Sequence, residues 1–118
     1  MSTLSVSNIT DGTTTVGTGF VVNGAARAWI YFNGSGTVAI QNSSGVSSLT
    51  DNSTGNYNVN LSNSMTSTSY CWSAANNNYH QATSTVRTVS SFNLQSYNSS
   101  HSIADATVYN SQVNGDLA

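Results

Sequence analysis

The chain has no Lys, no Glu and no Pro. Charged residues fill 5 % of its 118 positions, against about 25 % in an ordinary soluble domain. The acids are Asp11, Asp51, Asp105 and Asp116, and the bases are Arg27 and Arg87. So few cations exclude binding to nucleic-acid phosphates, which needs clustered Lys or Arg. No apolar run is long enough to cross a membrane as a helix. The single Cys71 excludes an internal disulfide framework. Met1-Ser2-Thr3-Leu4 lacks the charged and apolar regions of a signal peptide, so synthesis and assembly in a cytoplasm are expected. Asn-x-Ser/Thr matches such as Asn8-Ile9-Thr10 then carry no weight as glycosylation sites.

Ser, Thr, Asn and Gly fill the space that charge leaves. Disorder usually needs high net charge or low complexity, and the formal net charge is only −2. Tyr, Trp, Val and Ile recur at strand-like intervals, and strong helix formers are scarce, so β structure is expected throughout. A nearly uncharged surface has little colloidal repulsion, which favours an assembled oligomer over a free monomer.

The densest aromatic stretch is Ala28-Trp29-Ile30-Tyr31-Phe32. It is apolar on both faces if extended, so a strand covered on both sides is expected. Asn33-Gly34 supplies a turn, and Thr37–Ile40 returns as the second strand of a central hairpin. Upstream, residues 1–22 read as an extended arm or a first strand pair, with a turn at Asp11-Gly12. Downstream, Gln41–Gly45 reads as a polar loop, Val46–Thr50 as a strand and Asp51–Gly55 as a hairpin loop with a left-handed Gly. Asn56–Leu61 alternates cleanly, with Tyr57, Val59 and Leu61 on one face and Asn on the other. Residues 63–67 read as a connector. Ser69–Ala75 is a second bulky strand. Thr83–Leu94 reads as one long strand bulged near Thr88, and Ile103–Val113 as the closing strand. No segment reads as a helix. Eight or nine short strands with turn signals between them predict an all-β fold, a small antiparallel β-sandwich or barrel over residues 23–118 with an N-terminal arm.

No catalytic constellation emerges. Cys71 with His80 or His101 would need an adjacent base, and Cys71 sits between Tyr70 and Trp72, where a small buried residue is expected. The two His have no metal-ligand spacing, so no metal site and no cofactor is expected within one chain. All four Asp lie in turn-like contexts, where Asp usually bonds its own backbone, so no glycosidase carboxylate pair forms. Trp72, Tyr79 and Tyr97 lie near Asn-rich loops and are candidates for stacking on sugar rings. Arg27, flanked by Ala26 and Ala28, needs a partner. The candidates are a neighbouring subunit's Asp or carbonyls, or water at a strand edge.

Gly-Ala-Ala-Arg-Ala-Trp at 24–29, Phe-Asn-Gly at 32–34, Gly-Thr-Val-Ala-Ile at 36–40, Val-Ser-Ser-Leu-Thr-Asp at 46–51 and Gly-Asn-Tyr-Asn-Val-Asn-Leu at 55–61 follow in order. Together they resemble a block that recurs in bacteriophage tail-fibre and related virion proteins, often of marine and cyanobacterial phages. The similar region spans about Thr3 to Tyr70. The resemblance implies a trimeric, non-enzymatic β domain of a virion appendage, assembled in the host cytoplasm. It implies that Gly24, Ala26, Arg27, Ala28, Trp29, Phe32, Gly34 and Gly55 are fold-defining or interface positions. Its expected partners are copies of itself, other tail or capsid proteins, and a host-surface glycan touched by loops after Tyr70. The chain departs from the block at Ser43-Ser44-Gly45 and in its Asn-rich second half, which leaves the partner open. Two other readings fit the same residues: a capsid decoration protein gripping the shell by its arm, and a free carbohydrate-binding module.

Overall fold

The computed structural model describes residues 2–116, with backbone only at 23 and 80–85. Two short strands, β1 (Asn8–Thr10) and β2 (Thr15–Gly17), pair antiparallel in the arm. Asp11 closes their turn by accepting from the backbone N–H groups of Thr13 and Thr14. Those bonds hold its carboxyl below the usual carboxylate range, as expected of a turn Asp. A helix follows, α1 (Thr18–Gly24). No local pattern announces it, because Thr-Gly-Phe-Val-Val-Asn-Gly has weak helix formers between two Gly. Its described apolar side chains are left outside: Phe20 is 77 % exposed, and Val21 and Val22 are also exposed.

The body is two four-stranded antiparallel sheets. The first has the order β4-β3-β10-β7, from β3 (Ala26–Asn33), β4 (Ala39–Ser44), β7 (Cys71–Asn76) and β10 (Tyr109–Asn114). The second has the order β5-β6-β9-β8, from β5 (Val46–Ser53), β6 (Asn56–Leu61), β8 (His80–Arg87) and β9 (Ser91–Tyr97). Their inner faces form one core. Ile30 and Phe32 of β3 and Tyr109 and Val113 of β10 meet Tyr57 and Val59 of β6 and Phe92 and Leu94 of β9. The expected all-β sandwich with an N-terminal arm is the fold observed.

Several boundaries differ from expectation. β4 runs on to Ser44, so the polar segment 41–44 is strand, not loop. Gly45 alone, at φ 70°, carries the chain from the first sheet to the second. The long strand over 83–94 is in fact two, because residues 88–90 turn, with Thr88 N–H donating to Ser91 O. Of the expected closing strand, Tyr109–Val113 falls in β10, Ile103 makes a single antiparallel bridge to Tyr97, and 104–108 is a loop. Met65, placed in a connector, is buried in the core. Most importantly, β3 is covered on one side only. Ala28, Ile30 and Phe32 face inward, while Trp29 and Tyr31 are each 40 % exposed.

Candidate functional site

The exposed aromatics lie on the outward face of the first sheet. Register fixes their neighbours. Trp29 sits opposite Ser44 on β4 and Gln112 on β10, and Gln112 sits opposite Ser73 on β7. One row along, Tyr31 lies between Asn42 and Asn110, and Asn110 lies opposite Ala75. Directly paired residues project to the same face. Each row therefore places one large ring beside amides and small side chains. The height difference leaves an open groove of about 580 Å³ along Trp29 and Tyr31, floored by β10 and β7.

The other outward face is different in kind. The alternating Asn of β6 are joined into a network. Asn93 Nδ2 donates to Asn56 Oδ1 and Asn58 Oδ1, both at 2.7 Å. Asn52 Nδ2 donates to Asn58 Oδ1 at 3.2 Å, and Asn60 Nδ2 to Ser48 and Thr50 hydroxyls at 3.0 Å. This face is a polar lattice with no exposed large apolar side chain on β6 or β9, and within it Asn93 Oδ1 is the one buried side-chain polar atom that lacks a hydrogen-bond partner among the described residues.

One end of the sandwich is tied by a carboxylate. Asp105 Oδ1 accepts from Gly55 N–H and from the Tyr57 hydroxyl, both at 2.6 Å, and that hydroxyl also lies 2.6 Å from Gly34 O. Asp105 therefore binds across loops rather than to its own turn, contrary to the sequence expectation. The reason is that Gly34 and Gly55, remote in sequence, arrive at the same end. Ser96 and Tyr109 hydroxyls bond each other beneath it.

Burial, reinforced by the hydrogen bond to Asp105, pushes the Tyr57 phenol well above its ordinary pKa. Burial also raises Tyr70, partly offset by the nearby Arg87 guanidinium. A folded-state pKa raised above the unfolded value contributes stability fully present below about pH 10 and lost as pH rises further. The urea midpoint is expected to stay level from neutral pH to about 9 and to fall above about 10. In Tyr57→Phe the alkaline fall should be shallower.

The residues singled out in the sequence fall as follows. Trp72 is half-buried and stacks on Phe92 at 5.3 Å, so it faces the interior. Tyr79 is 63 % exposed, and its N–H bonds Tyr97 O, which brings these two residues together at the surface. The Tyr79 ring meets His101 edge-on at 6.3 Å. Arg27 Nε donates to Gly115 O of the same chain at 3.1 Å, so a partner exists without a neighbour. Cys71, expected buried, is exposed, because it takes the outward phase of β7 with Ser73 and Ala75 while Trp72 takes the inward one. The His80 side chain lies outside the described residues. Among the described residues, no three His, Cys, Asp or Glu gather to hold a metal, and no helix is long and apolar enough to cross a membrane. Gly34 and Gly55 are sterically required: a Cβ at Gly55, which holds φ 63°, would meet Ala104 O at 2.6 Å. Gly24 has open space around it.

Sequence reasoning did not pick out Tyr31, Asn110 and Gln112. Their signal was present in alternation: 29 and 31 share parity, as do 110 and 112. Compared with known proteins, the chain matches no family model, no curated protein and no solved structure.

Proposed function

We propose that the chain is a non-enzymatic structural subunit of a bacteriophage virion, of the tail-fibre or surface-appendage type, working as a homotrimer. The observation that carries this reading is bare apolar surface in a nearly uncharged chain. Phe20, Val21 and Val22 on the arm and Trp29 and Tyr31 on the body are all exposed. Soluble monomers rarely leave such patches open, and assemblies use them. The sequence block from Gly24 to Leu61 supports the phage assignment by resemblance. A host glycan and other virion proteins are the partners this reading implies.

Two observations favour second readings. The arm makes few contacts with the body beyond Asn114 Nδ2 to Gly24 O at 3.0 Å, which suits a decoration protein whose arm grips a capsid. The groove of aromatics and amides suits a carbohydrate-binding module. Light scattering after size exclusion separates them. The expected native mass is three times the 12.3 kDa of one chain. A monomer at every concentration overturns self-assembly and leaves the decoration and glycan readings.

A further inference from the structure

We infer that the outward face of the β4-β3-β10-β7 sheet, centred on Trp29 and Tyr31, is covered by a second copy of this chain. The inference rests on the self-assembly proposed above and names the surface that carries it.

The contrast between the two outward faces is the first argument. Amides on the β6 and β9 face bond one another. Asn110 and Gln112, on the outward face of the other sheet, make no side-chain hydrogen bond among the described residues. Two half-exposed rings stand beside them. One face joins most of its amides to one another, with Asn93 Oδ1 the exception, and the other shows solvent open amides and bare rings.

Charge selects the occupant. No ionisable carboxylate or cation lines the groove. The nearest cation along β3 is Arg27, which is bonded to Gly115 O. A strongly charged partner would find nothing to pair with, whereas three copies of this face gathered around a three-fold axis do not repel one another. Amides both donate and accept, so a copy can satisfy Asn110 and Gln112 with groups like their own. Aromatic residues with little charge are the composition of interface centres.

Shape agrees. Trp29 and Tyr31 lie two residues apart on one face of β3, so a single neighbouring surface can cover both rings. The arm adjoins the sheet in the chain. Ala25 alone joins α1 to β3, so Phe20, Val21 and Val22 lie just beyond the sheet and can reach a neighbour.

The chain carries its own reporter, because Cys71 lies on this face. The test measures native mass and the rate of Cys71 alkylation by a maleimide, in wild type, Asn110→Arg and Ser53→Arg. Asn110 is exposed and sits opposite Tyr31. Ser53 is exposed on the second sheet, outside its network of amides. Wild type should form an oligomer in which Cys71 reacts about tenfold or more slower than after dilution to monomer. Asn110→Arg should be monomeric with a fast Cys71, and Ser53→Arg should match wild type. The dilution experiment on wild type stands even if a variant folds poorly. If wild type is an oligomer, Cys71 reacts fast at every concentration and Asn110→Arg stays assembled, another surface assembles the chain. This face assignment then falls while the appendage reading stands. A wild-type monomer with an open Cys71 overturns both. A monomer that binds neutral oligosaccharides, and loses them on Trp29→Ala, also overturns the inference and gives the groove to a glycan.

Discussion

Phe32→Ala is expected to lower stability by about 3–5 kcal/mol. Phe32 is fully buried where the two sheets meet. Its ring stacks on Tyr109 at 4.5 Å and 3° and meets Tyr57 edge-on at 5.2 Å. Tyr57 and Tyr109 meet each other at 5.2 Å, so the three rings form a closed triangle. Removing one ring leaves a cavity between two others that are held in place by polar bonds. Tyr57 is anchored through Gly34 O and Asp105, and Tyr109 through Ser96 and Ala106 N–H. Anchored walls collapse poorly, which places the cost toward the upper end of the range. A small domain has about 5–15 kcal/mol in total. Urea unfolding followed by tyrosine and tryptophan fluorescence should show a midpoint lowered by roughly 2 M. A shift below about 0.5 M would mean that the triangle is not a packed core.

The second large effect is expected from a single methyl group. Gly34→Ala would place its Cβ 2.5 Å from Tyr109 Cε2 and 2.7 Å from the Tyr57 hydroxyl oxygen. Both rings are fully buried and hydrogen-bonded, so neither can step aside cheaply. Overpacking of this kind costs about 1–3 kcal/mol, occasionally more. Here the clash also strains the bond from Gly34 N–H to Ala106 O. Gly24→Ala provides the internal comparison, because nothing lies within 4 Å of the added Cβ. Thermal unfolding of the two variants should separate them by at least about 5 °C, with Gly24→Ala near wild type. Equal melting temperatures would remove the distinction between these two glycines of the same sequence block.

The parts of the fold legible in the sequence were those fixed by local pattern. The alternation of Asn56–Leu61 gives a half-buried strand because a period of two needs only neighbouring residues to read. The turn at Gly55 is legible for the same reason, since a left-handed φ demands Gly. What was lost depends on contacts between distant residues. The Asp105 tie joins positions about fifty residues apart, and no spacing announces it. Apolar residues mislead in another way. Trp29 and Tyr31 were read as covered because their apolarity does not say by what. Within one chain they are open, and the sequence logic holds only if something outside the chain covers them. Cys71 was assigned to the wrong face because one shift in phase along β7 exchanges it with Trp72. The turn at 88–90 escaped because Thr-Val-Ser contains neither Gly nor Pro.

Both arginines are held by backbone carbonyls, Arg27 on Gly115 and Arg87 on Tyr70 at 3.0 Å. Carbonyl dipoles attract a guanidinium without forming a pair of opposite full charges. Dissolved ions screen interactions between exposed charges strongly, and screen short hydrogen bonds to neutral groups far less. With amide-to-amide bonds on one sheet and aromatic packing inside, little of this fold is exposed to screening. Any assembly built from it would keep its shape from fresh water to brine.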